Sequence, residues 1–256
     1  MKCNSSMRRP LPSLLQLSRL AIQQCLSWWL APVPQSAKNV GHSPTARGAQ
    51  APLTPSALLA PVTSVTPLAP LAPIEVPSFT LVDGTCGNGH DTLFLAETAS
   101  PFLTAHPQTQ VNLLAFDIQD TAVTATQERL HSHSFPQNLT LAYFNQGHEH
   151  AAKYCPPKAP PILAVYNLGF LPGSDKAVIT TPDKSLASFE GLLPLMPPRA
   201  MFVIHAYGGH EGGHNEVEAV RHWAASLPEE HWTSRCYETI TPVKNPESLF
   251  IIEKLR

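Results

Sequence analysis

Three glycines at G-x-x-G-x-G spacing lie in Val82-Asp83-Gly84-Thr85-Cys86-Gly87-Asn88-Gly89-His90-Asp91-Thr92. The apolar run Phe79–Val82 precedes them and the helix-like run Leu93–Ala96 follows, so the turn joins a strand end to a helix start. Glycine permits close backbone approach and positive φ, and the free N–H groups of a helix start receive polar or anionic groups. Such a turn holds a nucleotide-like ligand. The order differs from the G-x-G-x-x-G of dinucleotide sites, which favours S-adenosyl-L-methionine (SAM) over NAD. Alone, the pattern also fits an ordinary glycine-rich βα turn.

Further along, Ala115-Phe116-Asp117-Ile118-Gln119 ends a second apolar run. An acid at that tip can accept both ribose hydroxyls, with Ile118 against the adenine. The alternative is that Asp117 or Gln119 caps the next helix. His148, in Gln146-Gly147-His148-Glu149-His150, is either a SAM-pocket residue or a capping or surface histidine. Asn167-Leu168-Gly169-Phe170 resembles the (Asn/Asp)-Pro-Pro-(Tyr/Phe) signature of enzymes that methylate exocyclic amines, with Leu168-Gly169 in place of Pro-Pro. A neutral amine needs its N–H groups held so that its lone pair faces the methyl carbon. Asn167 Oδ1 can hold them and Phe170 can stack on a planar base; the alternative is a side-chain turn at Asn167. His205, His210, Glu211 and His214 have a spacing open to zinc, but four glycines leave their loop without the rigid support zinc requires. The preferred reading has no metal; Tyr207 and His210 contact substrate, and His210 relays the amine's proton. No G-x-S-x-G elbow, P-loop or H-E-x-x-H occurs, which removes support for hydrolase, NTPase and zincin readings.

These residues need a scaffold, and 256 residues suffice for one α/β domain with a substantial core. Residues 11–31 read as a helix, with Leu14, Leu17, Leu20, Ala21, Gln24, Cys25 and Trp28 at roughly helical spacing. Residues 32–77 are rich in Pro, Ala, Ser and Thr and read as a disordered or polyproline-like insertion. From residue 78, strands (79–83, 111–117, 139–144, 162–168, 200–206, 232–240, 249–253) alternate with helices (90–99, 119–131, 148–154, 183–193, 215–226) until the last two strands, which read as a hairpin. That pattern predicts an α/β doubly wound sheet of Rossmann-like, class I methyltransferase type, mostly parallel with a C-terminal antiparallel hairpin.

Charge is unevenly spread. Residues 1–77 hold six basic residues and one acid, whereas the remainder holds eleven basic and eighteen acidic residues, a balance of −7. Nucleic-acid contact must therefore be local or involve the N-terminal segment. Five scattered cysteines without a C-x-x-C suit a reducing compartment. No apolar run approaches the ~20 residues of a membrane span. The expected location is the cytoplasm; an organelle is the alternative, because residues 1–77 are acid-poor and carry Ser and Arg.

Asp83–Thr92, Phe116–Gln119, Asn167–Lys176 with Thr180-Thr181, and Tyr207-Gly-Gly-His-Glu-Gly212 together resemble the family labelled putative rRNA methylase. Its characterised members are tRNA 5-(aminomethyl)-2-thiouridine methyltransferases. The resemblance covers residues 79–256 nearly continuously and extends to the helix at Leu14–Leu30, which makes 32–77 an insertion within the catalytic domain. It departs from the family at Ser174 and Gly84, both small. The resemblance implies SAM-dependent methyl transfer to the aminomethyl nitrogen of the wobble uridine, with the tRNA anticodon stem-loop as partner and a homodimer left open. It assigns the SAM site to Asp83, Gly87, Asn88, Gly89, His90, Asp91, Asp117, Ile118, Gln119 and His148, with Asp91 at the methionine end. Asn167, Phe170, Tyr207 and His210 surround the acceptor, with Lys176 beside them. The competing readings are methylation of rRNA or of a small-molecule amine, and a non-catalytic protein whose proline-rich segment docks partners.

Overall fold

The computed structural model describes residues 13–30, 78–169, 179–238, 240–241 and 243–256. Phe170, Ser174 and Lys176, and the proline-rich segment 32–77, lie outside the described residues. The first helix forms as α1, Leu14–Leu30. Its apolar stripe buries Ile22, Cys25 and Leu26. The rest alternates as β1 Ser78–Asp83, α2 His90–Ala105, β2 Gln110–Asp117, α3 Asp120–His131, β3 Leu139–Asn145, a 3-10 helix His148–Tyr154, β4 Pro161–Leu168, α4 Pro182–Leu192, β5 Met201–Tyr207, α5 Gly213–Ser226, β6 Trp232–Glu238 and β7 Glu247–Lys254.

The strands form one sheet in the order β3-β2-β1-β4-β5-β7-β6. β1 to β5 run parallel, and β7 runs antiparallel between β5 and β6. Successive side chains point to opposite faces, so both faces carry core. Leu81, Leu113, Val165, Val203 and Leu249 pack under α1 and α2, with Leu130 of α3. Val82, Leu114, Tyr166, Phe202 and Phe250 pack against the other face, with Phe189 of α4 and Trp223 of α5. The chain winds outward from β1 to β3, then restarts at β4 on the opposite side of β1. The carboxyl ends of β1 and β4 therefore flank the switch point where doubly wound sheets bind ligands.

The largest difference from the expected boundaries is in α2. The predicted helix 90–99 continues to Ala105, through Pro101. A mid-helix proline costs about 3 kcal/mol. Burial of Leu103 and the packing of Phe102 on Phe79 draw the segment onto the core and offset that cost.

Candidate active site

The glycine turn is fixed from three sides. Asp83 is fully buried at the end of β1. Its Oδ2 accepts from Thr92 Oγ1 at 2.5 Å and its Oδ1 from the Thr85 N–H at 3.2 Å. Burial, with Asp91 nearby, pushes its carboxyl up to about 7. Below the turn, the Gly84 N–H donates to Val165 O and the Cys86 N–H to Phe116 O. On the outer side, Arg129 Nε donates to Asn88 O at 2.5 Å, and Arg129 Nη2 lies 3.3 Å from His90 Nε2. Gly89 begins α2 with φ 77°, and a Cβ there would meet Thr126 Cα at 2.8 Å. Gly84 passes so close to the Tyr166 ring that a Cβ would overlap it at 2.1 Å. These two positions require glycine for separate reasons, conformation at one and space at the other.

At the tip of β2, Asp117 Oδ2 accepts the Gly87 N–H at 3.1 Å and Oδ1 the Gln119 N–H at 2.9 Å. Burial raises its pKa, and these N–H groups oppose the rise. A carboxylate has about four acceptor positions, so two remain for a ribose diol. Gln119 makes no side-chain cap for α3. Ile118 is 48% exposed at the same tip, an apolar surface for a purine.

His148 opens the 3-10 helix and is buried edge-on against Tyr166. Its Nδ1 lies 3.1 Å from Gly84 O, so Nδ1–H donates there and Nε2 is left as an acceptor. Burial lowers its pKa to about 4, which keeps the ring neutral. Nε2 is buried without a protein partner. A buried acceptor of this kind calls for a donor from elsewhere. A nucleoside or amino-acid N–H meets that need, and the glycine turn supplies the cradle.

The acceptor end lies across the switch point. The Asn167 N–H donates to Thr85 Oγ1 at 2.7 Å, and Asn167 Nδ2 donates to Asp91 Oδ2 at 2.7 Å. Asp91 thus holds the amide by its Nδ2, which leaves Asn167 Oδ1 as the acceptor of the group. Asn167 pairs in register with His205 of β5, which puts Asn167, His205 and, two residues on, Tyr207 on one face. A Cβ at Gly169 would lie 3.4 Å from His210 Nε2 and 3.5 Å from Tyr207 Cβ. Asn167, Tyr207 and His210 therefore converge. The residues expected to hold SAM gather around the turn, except that Asp83 faces inward and His90 faces outward to Arg129. No site role for Thr85, Thr92, Arg129 or Glu247 is legible in the sequence, where His205 stands out only as a histidine at metal-ligand spacing. His205 Nε2 lies 2.9 Å from Glu247 Oε2, and its Nδ1 3.3 Å from Tyr207 OH. Their common signal is a polar residue at the end of an apolar strand or helix. Among the described residues no cluster of three side chains is arranged to hold a metal, and no helix is long and apolar enough to cross a membrane.

A doubly wound seven-stranded sheet with a glycine turn at β1, an acid at the tip of β2 and an antiparallel final pair defines the class I methyltransferase fold. The chain belongs to the putative rRNA methylase family, whose model matches residues 113–253. It is similar to a chloroplastic tRNA (mnm(5)s(2)U34)-methyltransferase of Arabidopsis thaliana, 27% identical over 178 residues, 68% of this chain. That match spans 63% of the relative's length. Among solved structures, a putative rRNA methylase from Clostridium thermocellum is 28% identical with a TM-score of 0.61, covering 69% of this chain and 89% of that one. A putative methyltransferase from Streptococcus mutans, solved in complex with SAH, is 30% identical with a TM-score of 0.57, covering 70% of this chain and 89% of that one.

Proposed function

We propose that this chain is a SAM-dependent N-methyltransferase that converts 5-aminomethyl-2-thiouridine to 5-methylaminomethyl-2-thiouridine at the tRNA wobble position. The observation that carries the proposal is the Asp91–Asn167 pair, which joins the cofactor turn to an amide whose free carbonyl oxygen suits an amine N–H. The acceptor named for the Arabidopsis relative fits that chemistry. SAM, when bound, supplies a sulfonium-activated methyl carbon. Asp117 and Ile118 hold the nucleoside part, and His148 Nε2 and the turn amides receive the remaining polar groups. Asn167 Oδ1 accepts one amine N–H and so aims the nitrogen lone pair; the protein's main contribution is this positioning. The cytoplasm is the proposed location.

The test is nucleoside mass analysis after incubating the full chain with SAM and tRNA carrying the aminomethyl base. One methyl gained on that nucleoside is expected; no gain beside an active control enzyme overturns the proposal. Asn167→Ala should lower turnover about 10²-fold with SAM affinity nearly unchanged, measured by single-turnover kinetics and calorimetry. A second reading, methylation of a small-molecule amine, is favoured by the −7 balance after residue 77. Activity on a free amine that persists in high salt would support it, because phosphate contacts make tRNA binding salt-sensitive.

A further inference from the structure

The acceptor amine presents a problem that positioning alone leaves unsolved. An alkylamine is protonated near pH 7, with a pKa near that of lysine, about 10.4, and an ammonium has no lone pair for the methyl carbon. Some group must take a proton. His210, the sequence-based candidate, has its Nδ1 turned to Glu211 O. A different chain of groups lies under Tyr207. The phenol is 39% exposed beside Gly169. Its OH is 3.3 Å from Nδ1 of buried His205, whose Nε2 is 2.9 Å from Glu247 Oε2. The two rings stack, with centroids 4.5 Å apart. Register places Tyr207 directly opposite Glu247 and His205 opposite Leu249, so β5 and β7 together build the arrangement.

We propose that Tyr207, His205 and Glu247 form a proton relay that deprotonates the acceptor ammonium; this rests on the amine-methyltransferase reading above. With Nε2–H donated to Glu247, Nδ1 of a neutral His205 is an acceptor and the Tyr207 OH points its proton at it. The Tyr207 oxygen then keeps lone pairs for an incoming N–H. The step balances: one ammonium proton passes to Tyr207 oxygen as the phenol proton passes to His205 Nδ1. That leaves a neutral amine and an imidazolium held by Glu247. The amine lone pair then forms the N–C bond as the methyl–sulfur bond breaks, its electron pair staying on sulfur. The product is a secondary ammonium; once it leaves, the proton on His205 Nδ1 passes back to the Tyr207 oxygen as the phenol proton goes to water, which restores the Nε2–H held by Glu247.

The groups facing His205 are Glu247 from β7, Asp91 from α2 and Tyr207 from its own strand. Burial lowers the His205 pKa, while Glu247 and Asp91 act in the opposite direction, so the ring is neutral and able to accept at pH 7. Burial, with Glu247 and Asp91, pushes the Tyr207 phenol up to about 12, so it passes protons on rather than resting as phenolate. The 3.3 Å separation is at the long end for a hydrogen bond.

The experiment compares wild type, Glu247→Gln and His205→Gln in single turnover with saturating SAM and aminomethyl-thiouridine tRNA, from pH 6.5 to 9.5. At pH 7 each variant should be slower by about 10²-fold, the usual scale for a lost proton acceptor. The deficit should shrink by about tenfold per pH unit, because solution supplies neutral amine in that proportion below the amine pKa. SAM affinity should be unchanged, which also reports correct folding. Nitrogen-15 spectra of the wild-type imidazoles should show His205 neutral with its proton on Nε2, a preference lost in Glu247→Gln. A deficit constant with pH, no deficit, or a proton on Nδ1 overturns the relay while leaving the methyltransferase reading standing. Wild type inactive on this tRNA overturns both.

Discussion

Asp117 and Asp83 are both strand-end carboxylates, yet their surroundings give them different roles. Asp117 holds two backbone N–H groups and stays half-buried at the surface of the turn. Asp117→Ala should weaken SAM binding by about 10–100-fold, the loss of one or two hydrogen bonds to a charged group, read by calorimetry; unchanged affinity would remove it from the site. Asp83 is sealed beneath the turn. Its folded pKa, about 7, lies above the ordinary 3.8, so the folded protein holds a proton that the unfolded chain releases. Stability from this group is present below about pH 4 and is lost as pH rises toward 7 and just beyond. Urea midpoints measured from pH 4 to 8 should fall with pH in wild type and fall less in Asp83→Asn. The sequence showed both residues as acids at apolar strand ends. It could not show which one is covered, because that depends on Thr92 and on the packing of α2, matters of three-dimensional contact rather than spacing.

At the scale of elements, the start of α2 carries the most constraint. Gly89→Ala should destabilise the protein by about 1–3 kcal/mol through strain at positive φ and contact with Thr126; a denaturation curve superimposed on wild type would contradict this. The acceptor side is anchored differently. The Thr180 N–H donates to Gly169 O, and Thr180 Oγ1 and Ser185 Oγ donate to the two oxygens of buried Glu216 in the first turn of α5. The strands and most helices were legible because apolar runs of strand length alternate with helix-period segments. Less legible were the passage of α2 through Pro101 and the start of α5 at Gly213 rather than Asn215, since burial decides the first and Gly212, at φ 80°, sets the second. Glu247 was invisible as a site residue, because its role depends on β7 inserting between β5 and β6.

For the molecule as a whole, the relation of α1 to the sheet decides what can be removed. Near the end of α1, Cys25 Sγ lies 3.5 Å from Ile162 O and Trp29 Nε1 donates to Arg199 O at 3.4 Å. Both contacts are at the amino ends of β4 and β5. β1 begins at that same end, where the Thr80 N–H donates to Pro160 O. The chain leaves α1 and enters β1 on the side of the sheet opposite the active site. Replacing residues 32–74 by a short Gly/Ser linker should therefore retain folding and SAM affinity, checked by thermal melting and calorimetry. A deletion variant that cannot fold would show that the segment supplies core contacts.

On the proposed methyltransferase reading, the protonatable Asp83 beneath the turn also bears on product release. SAM carries a sulfonium charge that its demethylated product lacks. Ionisation of Asp83, adding to Asp91 and Asp117, makes the turn more negative as pH passes through about 7. The cationic cofactor gains from that change and the neutral-sulfur product does not. Product inhibition should thus ease between pH 6 and 8, as the affinity ratio of cofactor to product rises.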